Sequence, residues 1–515
     1  MKKFIISAVF AVLIVIANTA QIFARPSDLG FFGGITEGAR LPMTTEQIIA
    51  QTNANRRAAP QDFVYKEMIF LAGLPVEFEG IMTRRQNGQV TTTADSGSYT
   101  LTYDIRPNPA TADGVNLTRL ITFNVNWRRE GNQIIENLTV NPNNTSWRES
   151  ITVDGTNFVL DPRQSHISIS IIRHETPGVT YYRGDISKRA VYTSGGDQVV
   201  QEINGRFYGF YSAWSATETH ILEGIISTPE WQMMYEVVPS VAVSKDLQYA
   251  QNEPTAISFS GNYREVTQNR SGLSYSITVM PNRFYGEPTS GSTTISTRNS
   301  FEQLISPDVA FLDGHWAQSD IQKIFSMEIL DFDPRLFFPD QQITRATYIT
   351  MLARAARMPL APPATTTGRA NRNAPPPELI FPDVPDSHPA SRYITAAYES
   401  GLIRGRGQGH FQTDFAITRE EAYVLALRIL GLTNLGPDPT PVTPFVDDAD
   451  IGDWARRELY AAERIGLIFP DSMGRLNPRE YLSNAEAAAL VIRLIDYMRH
   501  FLPTDYTENI INFMH

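Results

Sequence analysis

The chain has no cysteine in 515 residues, which removes disulfides, thiolate metal sites and cysteine nucleophiles together. Cationic side chains are in deficit, 44 Lys and Arg against 55 Asp and Glu, for a net charge of -11. That balance excludes general nucleic-acid binding, which relies on clustered Lys and Arg. Long apolar runs are scarce. The main one, Phe4 to Ala17, follows Lys2 and Lys3 and ends at small-residue cleavage options, Asn18-Thr19-Ala20 or Ile22-Phe23-Ala24. A bilayer-spanning helix needs roughly 20 apolar residues, so this run reads as a secretory leader. No later stretch reaches spanning length, and the expected product is an exported chain without a membrane span, held at a surface only by what it binds. Nucleophile elbow, phosphate loop and zinc-protease signatures are also missing, and His166, His174 and His220 lack metal-ligand spacing. No catalytic residue, cofactor or metal is assigned.

What the chain does have is enough apolar sequence to bury cores, 42% hydrophobic with 10% aromatic, and length for roughly three domains. It also has an internal repeat. One segment opens with Phe311, Asp313 and His315-Trp316-Ala317, a second with Phe381, Asp383 and His388-Pro389-Ala390, a third with Phe445, Asp447 and Asp453-Trp454-Ala455. The step from the alanine to the apolar residue after a first helix is the same in each: Ala317 to Ile329, Ala390 to Leu402, Ala455 to Leu467. Gly401 and Gly466 stand before that residue, where a helix end wants a left-handed conformation. Glu328 holds the place in the first segment and predicts a different ending. Phe337-x-Pro339, Phe411-x-Thr413 and Leu476-x-Pro478 follow, then the helix starts Ile343-Thr344-Arg345-Ala346, Ile417-Thr418-Arg419-Glu420 and Leu482-Ser483-Asn484-Ala485. Thr418 with Glu421 and Ser483 with Glu486 predict capping boxes; Thr347 leaves half of one in the first segment.

These motifs, recurring in order over about residues 308 to 500, resemble the S-layer homology family. The resemblance implies a C-terminal all-α, pseudo-threefold domain of three repeats, whose grooves bind a pyruvylated secondary cell-wall polymer attached to peptidoglycan. The residues themselves point a compatible way. Arg345 and Arg419 follow N-cap threonines, which would set a guanidinium beside free helix N–H groups, an anion site suited to a pyruvyl carboxylate. Asp313, Asp383 and Asp447 are candidates to accept from sugar hydroxyl or amide groups, and Trp316 and Trp454 to stack on a sugar ring; these roles are partly inherited from the family. The alternatives are local: an arginine that solvates a helix end, an aspartate that caps a turn, a tryptophan that anchors a core. Asn484 in place of arginine and Pro389 in place of tryptophan make the grooves unequal, with the Asn484 groove expected to be weakest.

Residues 61–300 read as β-rich. Ile121, Phe123, Val125 and Trp127 alternate with polar residues, as do Ile167, Ile169 and Ile171, the period of half-buried strands. Asp154-Gly155 and Asn204-Gly205 predict hairpin turns. The expected fold is multidomain, an N-terminal mostly antiparallel β domain, either a sandwich or a curved open sheet, ahead of the helical repeats, with short helices at Thr44 to Asn55 and Phe63 to Leu71. The expected division is a leader at 1–24, a segment at 25–60, repeats at 308–358, 380–432 and 444–500, Pro/Thr-rich linkers at 359–379 and 433–443, and a tail at 501–515. Glu77 with Glu79 reads as solvated charge, and Arg183-Gly184-Asp185 as a turn between strands. The functional expectation is a secreted surface protein of S-layer type in the cell wall, with the wall polymer and other surface-layer proteins as partners. The alternative is a wall-tethered polysaccharide hydrolase. A tether between outer membrane and peptidoglycan ranks third, since no barrel-scale run of amphipathic strands is evident.

Overall fold

Alternation of apolar and polar residues decides the architecture of the first half. The computed structural model describes residues 29–37, 61–108, 115–141, 146–250, 262–279 and 289–510, apart from 89, 91–93, 298, 361–378, 406–408 and 441. The helix expected at Thr44 to Asn55 and most of the 359–379 linker lie outside them. Sixteen strands fill the described part: β1 (Gly34–Thr36), β2 (Gln61–Ile69), β3 (Val76–Asn87), β4 (Ser96–Pro107), β5 (Val115–Glu130), β6 (Gln133–Thr139), β7 (Trp147–Val153), β8 (Thr156–Leu160), β9 (His166–Glu175), β10 (Val179–Ser194), β11 (Asp197–Ser212), β12 (Ser215–Ser227), β13 (Gln232–Ala250), β14 (Asn262–Val279), β15 (Thr289–Ile295) and β16 (Ser300–Gln303). They form one antiparallel sheet in near-sequential order, with β7 and β8 as a side hairpin on β5 and β10. The sheet curls until its ends approach: Phe70, after β2, stacks on Tyr235 of β13 at 4.4 Å between ring centroids.

One face is dry. Along β5 the buried residues are Val115, Leu117, Arg119, Ile121, Phe123, Val125 and Trp127, and the residues between them face outward. Residues 29–35 lie inside the curl, where Phe31 meets Tyr103, Phe123 and Phe207. The fold is therefore a curved sheet and not a sandwich, and the run of amphipathic strands is of barrel scale, more than the pattern suggested. Its polarity is apolar-in and polar-out, the reverse of a barrel that faces lipid.

Three local expectations are corrected. Phe63 to Leu71 is strand β2 followed by a turn, not a helix. Its inward residues are Phe63, Tyr65 and Glu67, and Glu67 masks the alternation because it is buried against Arg119 of β5, with Nη1 to Oε2 at 2.7 Å. Asp154-Gly155 does turn, with φ of 47° and 80°. Asn204-Gly205 lies within β11 instead; a Cβ on Gly205 would meet the Ile221 carbonyl at 2.6 Å, so glycine serves close strand approach there. Arg183-Gly184-Asp185 is likewise mid-strand, in β10.

The second half holds α1 (Gln318–Ser326), α2 (Arg345–Ala355), α3 (Ser391–Glu399), α4 (Arg419–Leu430), α5 (Asp453–Arg464) and α6 (Asn484–Asp496). Each repeat supplies two. Gly401 and Gly466 take φ of 74° and 70°, and Glu328 takes 54°, so the first repeat ends its helix in the same left-handed way, at a cost its glycine counterparts avoid. Residues 501–510 continue helically rather than trailing as a tail, and bury Tyr506 and Ile510.

Sheet and helices share a core in which Val179, Tyr181, Phe210 and Trp214 pack with helical residues. The contacts fall on the C-terminal ends of α2, α4 and α6, whose last carbonyls have no partner within the helix. The Ala355 carbonyl accepts Trp214 Nε1 at 2.7 Å. Ile429 accepts Gly178 N at 2.9 Å and Thr176 Oγ1 at 3.1 Å, and Leu430 accepts Tyr181 Oη at 2.9 Å. Met498, just past α6, accepts Ser215 Oγ.

Candidate functional site

The opposite ends of the same three helices build the candidate site. Thr344, Thr418 and Ser483 cap them, each hydroxyl accepting the amide three residues on at 3.2, 3.4 and 3.2 Å. Glu421 and Glu486 return bonds to the amides of Thr418 and Ser483 at 3.2 and 2.8 Å, the two complete capping boxes expected. The residues before the caps close a ring: Ile343 N donates to Leu482 O, Leu482 N to Ile417 O, and Ile417 N to Ile343 O, at 2.9, 3.0 and 3.2 Å.

This ring uses up the helix amides. Arg345 N and Ala346 N donate to Phe415 O and Thr413 O, Arg419 N and Glu420 N to Glu480 O and Pro478 O, and Asn484 N and Ala485 N to Gln341 O and Pro339 O. Each helix start is thus covered by the loop of the next repeat in cyclic order, and the free amides behind the anion reading are occupied. The arginines have internal partners too. Arg345 is buried, donates Nε to Phe411 O at 3.1 Å, lies 3.4 Å from Glu421 and stacks over Phe411. Arg419 reaches Leu476 O at 3.4 Å and pairs with Glu486. Asn484 donates Nδ2 to Phe338 O at 2.9 Å. So the arginine of one repeat meets the capping-box glutamate of the next, and where the third repeat has Asn484 the next repeat has Thr347. Two departures from the motif are one change at one junction, a link the sequence reading missed although both residues were in view.

The aspartates divide differently. Asp383 accepts the amides of Phe411 and Gln412 at 2.9 and 2.6 Å, and Asp447 those of Leu476 and Asn477 at 2.9 and 2.7 Å. They pin loops whose Gln412 and Asn477 turn left-handed, at φ of 63° and 53°. Burial works against the ionised Asp383 carboxyl, yet the two amides outweigh it and hold its pKa below the usual range. Asp313 does neither. Its loop closes on itself through a short turn, Phe337 N donating to Pro334 O at 2.9 Å, and Asp313 accepts only the Gln318 side-chain amide, at 3.0 Å, among the hydrogen bonds of the described residues.

Trp316 and Trp454 stand 64% and 51% exposed, away from the core role that was open to them. Trp316 stacks on His315. A cavity of about 460 Å³ opens between the first repeat's opening turn and its loop, lined by Asp313, His315, Arg335, Phe337, Phe338 and Asp340 among others. Arg335 and Phe338 had no motif to mark them. In the sheet, Glu77 and Glu79 both pair with Lys66, at 2.8 and 3.3 Å.

The ring is locked by its own backbone and leaves the Trp316 and Trp454 indoles and the Asp313 carboxylate exposed near the helix starts. Residues 380–422 match the S-layer homology domain. The chain is 28% identical over 215 residues to an amylopullulanase of Thermoanaerobacterium thermosulfurigenes, covering 41% of this chain and 10% of that enzyme. Against the exoglucanase XynX of Acetivibrio thermocellus it is 26% identical over 214 residues, 41% of this chain and 18% of the relative. S-layer protein EA1 of Bacillus anthracis is 29% identical over 112 residues, 22% of this chain and 12% of that protein. The chain thus spans under a fifth of the length of these relatives. Residues 380–422 thus carry a match to the S-layer homology domain, and the chain's place is the cell wall and surface.

Proposed function

We propose that the three helical units act as three S-layer homology repeats, forming one pseudo-threefold anchor that holds the chain non-covalently to a pyruvylated secondary wall polymer, with the sheet as the module held away from the wall. The observation that carries this reading is polarity of the helices: their C-terminal ends are buried on the sheet, while their starts, with exposed Trp316 and Trp454, lie at the other end. Trp316, Trp454 and Asp313 contact glycan in this scheme. Arg345, Arg419, Asp383 and Asp447 are positioning residues that hold the loops, since each makes hydrogen bonds or an ion pair within the protein. Other surface-layer proteins are partners for the sheet's outer face.

Sedimentation of the full chain with purified wall sacculi tests it. The Trp316→Ala, Trp454→Ala double variant should stay in the supernatant while melting like the parent. Sacculi stripped of pyruvyl groups should lose the parent as well; undiminished binding to them would replace the acidic polymer with a neutral glycan. A wall-tethered hydrolase is the second reading, favoured by the amylopullulanase and exoglucanase among the relatives. Against it, Glu67 and Glu149 are buried on Arg119, and Glu77 and Glu79 are neutralised by Lys66. Release of reducing sugar from wall glycan or starch would revive it.

A further inference from the structure

The three grooves are not equal, and we infer that the one between the third and first repeats is the principal glycan site, reading an acidic sugar through Arg335 and a hydroxyl or acetamido group through Asp313. The inference rests on the wall-anchor reading above and reverses the rank suggested by counting arginines. Each groove pairs a helix start with the opening turn and loop of the next repeat. Between the first and second repeats the tryptophan position is Pro389, which offers no ring, and Asp383 has both carboxylate oxygens on loop amides. Between the second and third repeats Trp454 is present, but Asp447 is spent in the same way. Glu420 also sits at the rim, its carboxylate accepting Gly452 N at 3.0 Å beside that indole. A carboxylate there disfavours an anionic ligand.

The remaining groove also carries carboxylates, Asp313 and Asp340, but it adds an exposed cation, Arg335, in the same lining. Its helix start contributes the small Ala485 where Glu420 stands in the second repeat. Asp313 is exposed and released from the loop, because the turn at residues 334–336 closes the loop in its place. Trp316 and Phe338 are 64% and 59% exposed at the rim, flat faces for sugar rings. Arg335 is exposed and lies 3.5 Å from the exposed Asp333, a contact too weak to hold it against a better carboxylate. The 460 Å³ cavity on the first repeat's side of this groove, with Asp313, Arg335 and Phe338 in its lining, has room for a sugar unit. Asn484 fits this assignment: it fastens the Phe338 carbonyl without bringing in a charge.

The test uses the full chain and purified sacculi. Arg335→Gln and Asp313→Asn should each weaken binding about tenfold, the loss expected of one charge-assisted hydrogen bond, with unchanged melting because both side chains are exposed. Trp454→Ala should change binding by less than about twofold, its ring lying outside the principal groove. Removing pyruvyl groups from the sacculi should weaken the parent but leave Arg335→Gln unaffected. Parent-like binding by Arg335→Gln and Asp313→Asn, with release by Trp454→Ala, would overturn the choice of groove and keep the wall reading. Failure of the parent itself to bind sacculi overturns both.

Discussion

If sheet and helices share one core, a single buried side chain at the seam should decide whether they unfold together. Trp214 is that side chain. It is 2% exposed, donates Nε1 to the Ala355 carbonyl at 2.7 Å, and is flanked by Arg357 and Arg499 at 4.8 and 4.5 Å from its ring. Truncation to alanine in a packed core costs about 3–5 kcal/mol, and leaves the Ala355 carbonyl without its donor, for about 1 kcal/mol more. Trp214→Phe keeps most of the packing and forfeits the hydrogen bond, so about 1–2 kcal/mol is expected of it. Calorimetry with far-UV circular dichroism is the assay, the strand and helix signals being followed separately. The parent should melt in one transition; Trp214→Ala should split it, helices and sheet separating, while Trp214→Phe lowers the midpoint without a split. Two resolved transitions in the parent, or a Trp214→Ala variant that melts as the parent does, would show that the shared core contributes no coupling.

Three further outcomes follow from local geometry. Glu328→Gly should raise stability by up to about 1 kcal/mol in urea unfolding, since a non-glycine residue in the left-handed region costs about 1–2 kcal/mol and glycine's extra unfolded freedom takes part of that back. Asn484→Arg alone brings a guanidinium to a junction without its acid and should be neutral or destabilising. Combined with Thr347→Glu it should recover about 0.5–1 kcal/mol of coupling in a double-mutant cycle, and zero coupling would undo the paired reading of these positions. Glu149 lies buried on Arg119 with Lys188 nearby; burial opposes its charge, but the two cations prevail and hold its pKa at about 2 against an ordinary 4.5. A depressed carboxylate contributes stability that is whole above about 4.5 and lost as pH falls toward about 2. Glu149→Gln should therefore flatten unfolding free energy against pH across that window, and be less stable than the parent at pH 7.

Legibility from sequence followed the range of the interaction. Caps, helix phases and the Asp154-Gly155 turn involve neighbours within a few residues, and they could be read directly. Strand β2 failed because Glu67 faces inward to an arginine 52 positions away, and local periodicity counts a buried carboxylate as a surface residue. The seam was out of reach for the same reason: Trp214 meets Ala355 across 141 positions and Ser215 meets Met498 across 283, and nothing in a tryptophan between two serine-containing strands announces a helix end as its acceptor. Residues 501–510 read as a tail because their partners, such as the Tyr182 carbonyl for Tyr506 Oη at 3.1 Å, lie in the sheet.

The candidate site shows how motif residues can be found while the choice between their possible roles stays open. An arginine after a helix cap has two physical uses, to receive an anion at open amides or to clamp whatever covers those amides, and a single repeat offers no way to choose. Three repeats in a ring do. The loop of each neighbour covers the amides, so the arginine is left to pair with the neighbour's cap glutamate, and a loss of one should accompany loss of the other. Thr347 and Asn484 meet that condition across 137 positions. The same logic exposes Asp313: two of three equivalent aspartates hold loops, and the third, whose loop closes by another route, keeps its carboxylate at the surface. In a cyclic repeat, a position released from structural duty keeps its polar group at the surface, and here that carboxylate lines one cavity with an exposed arginine.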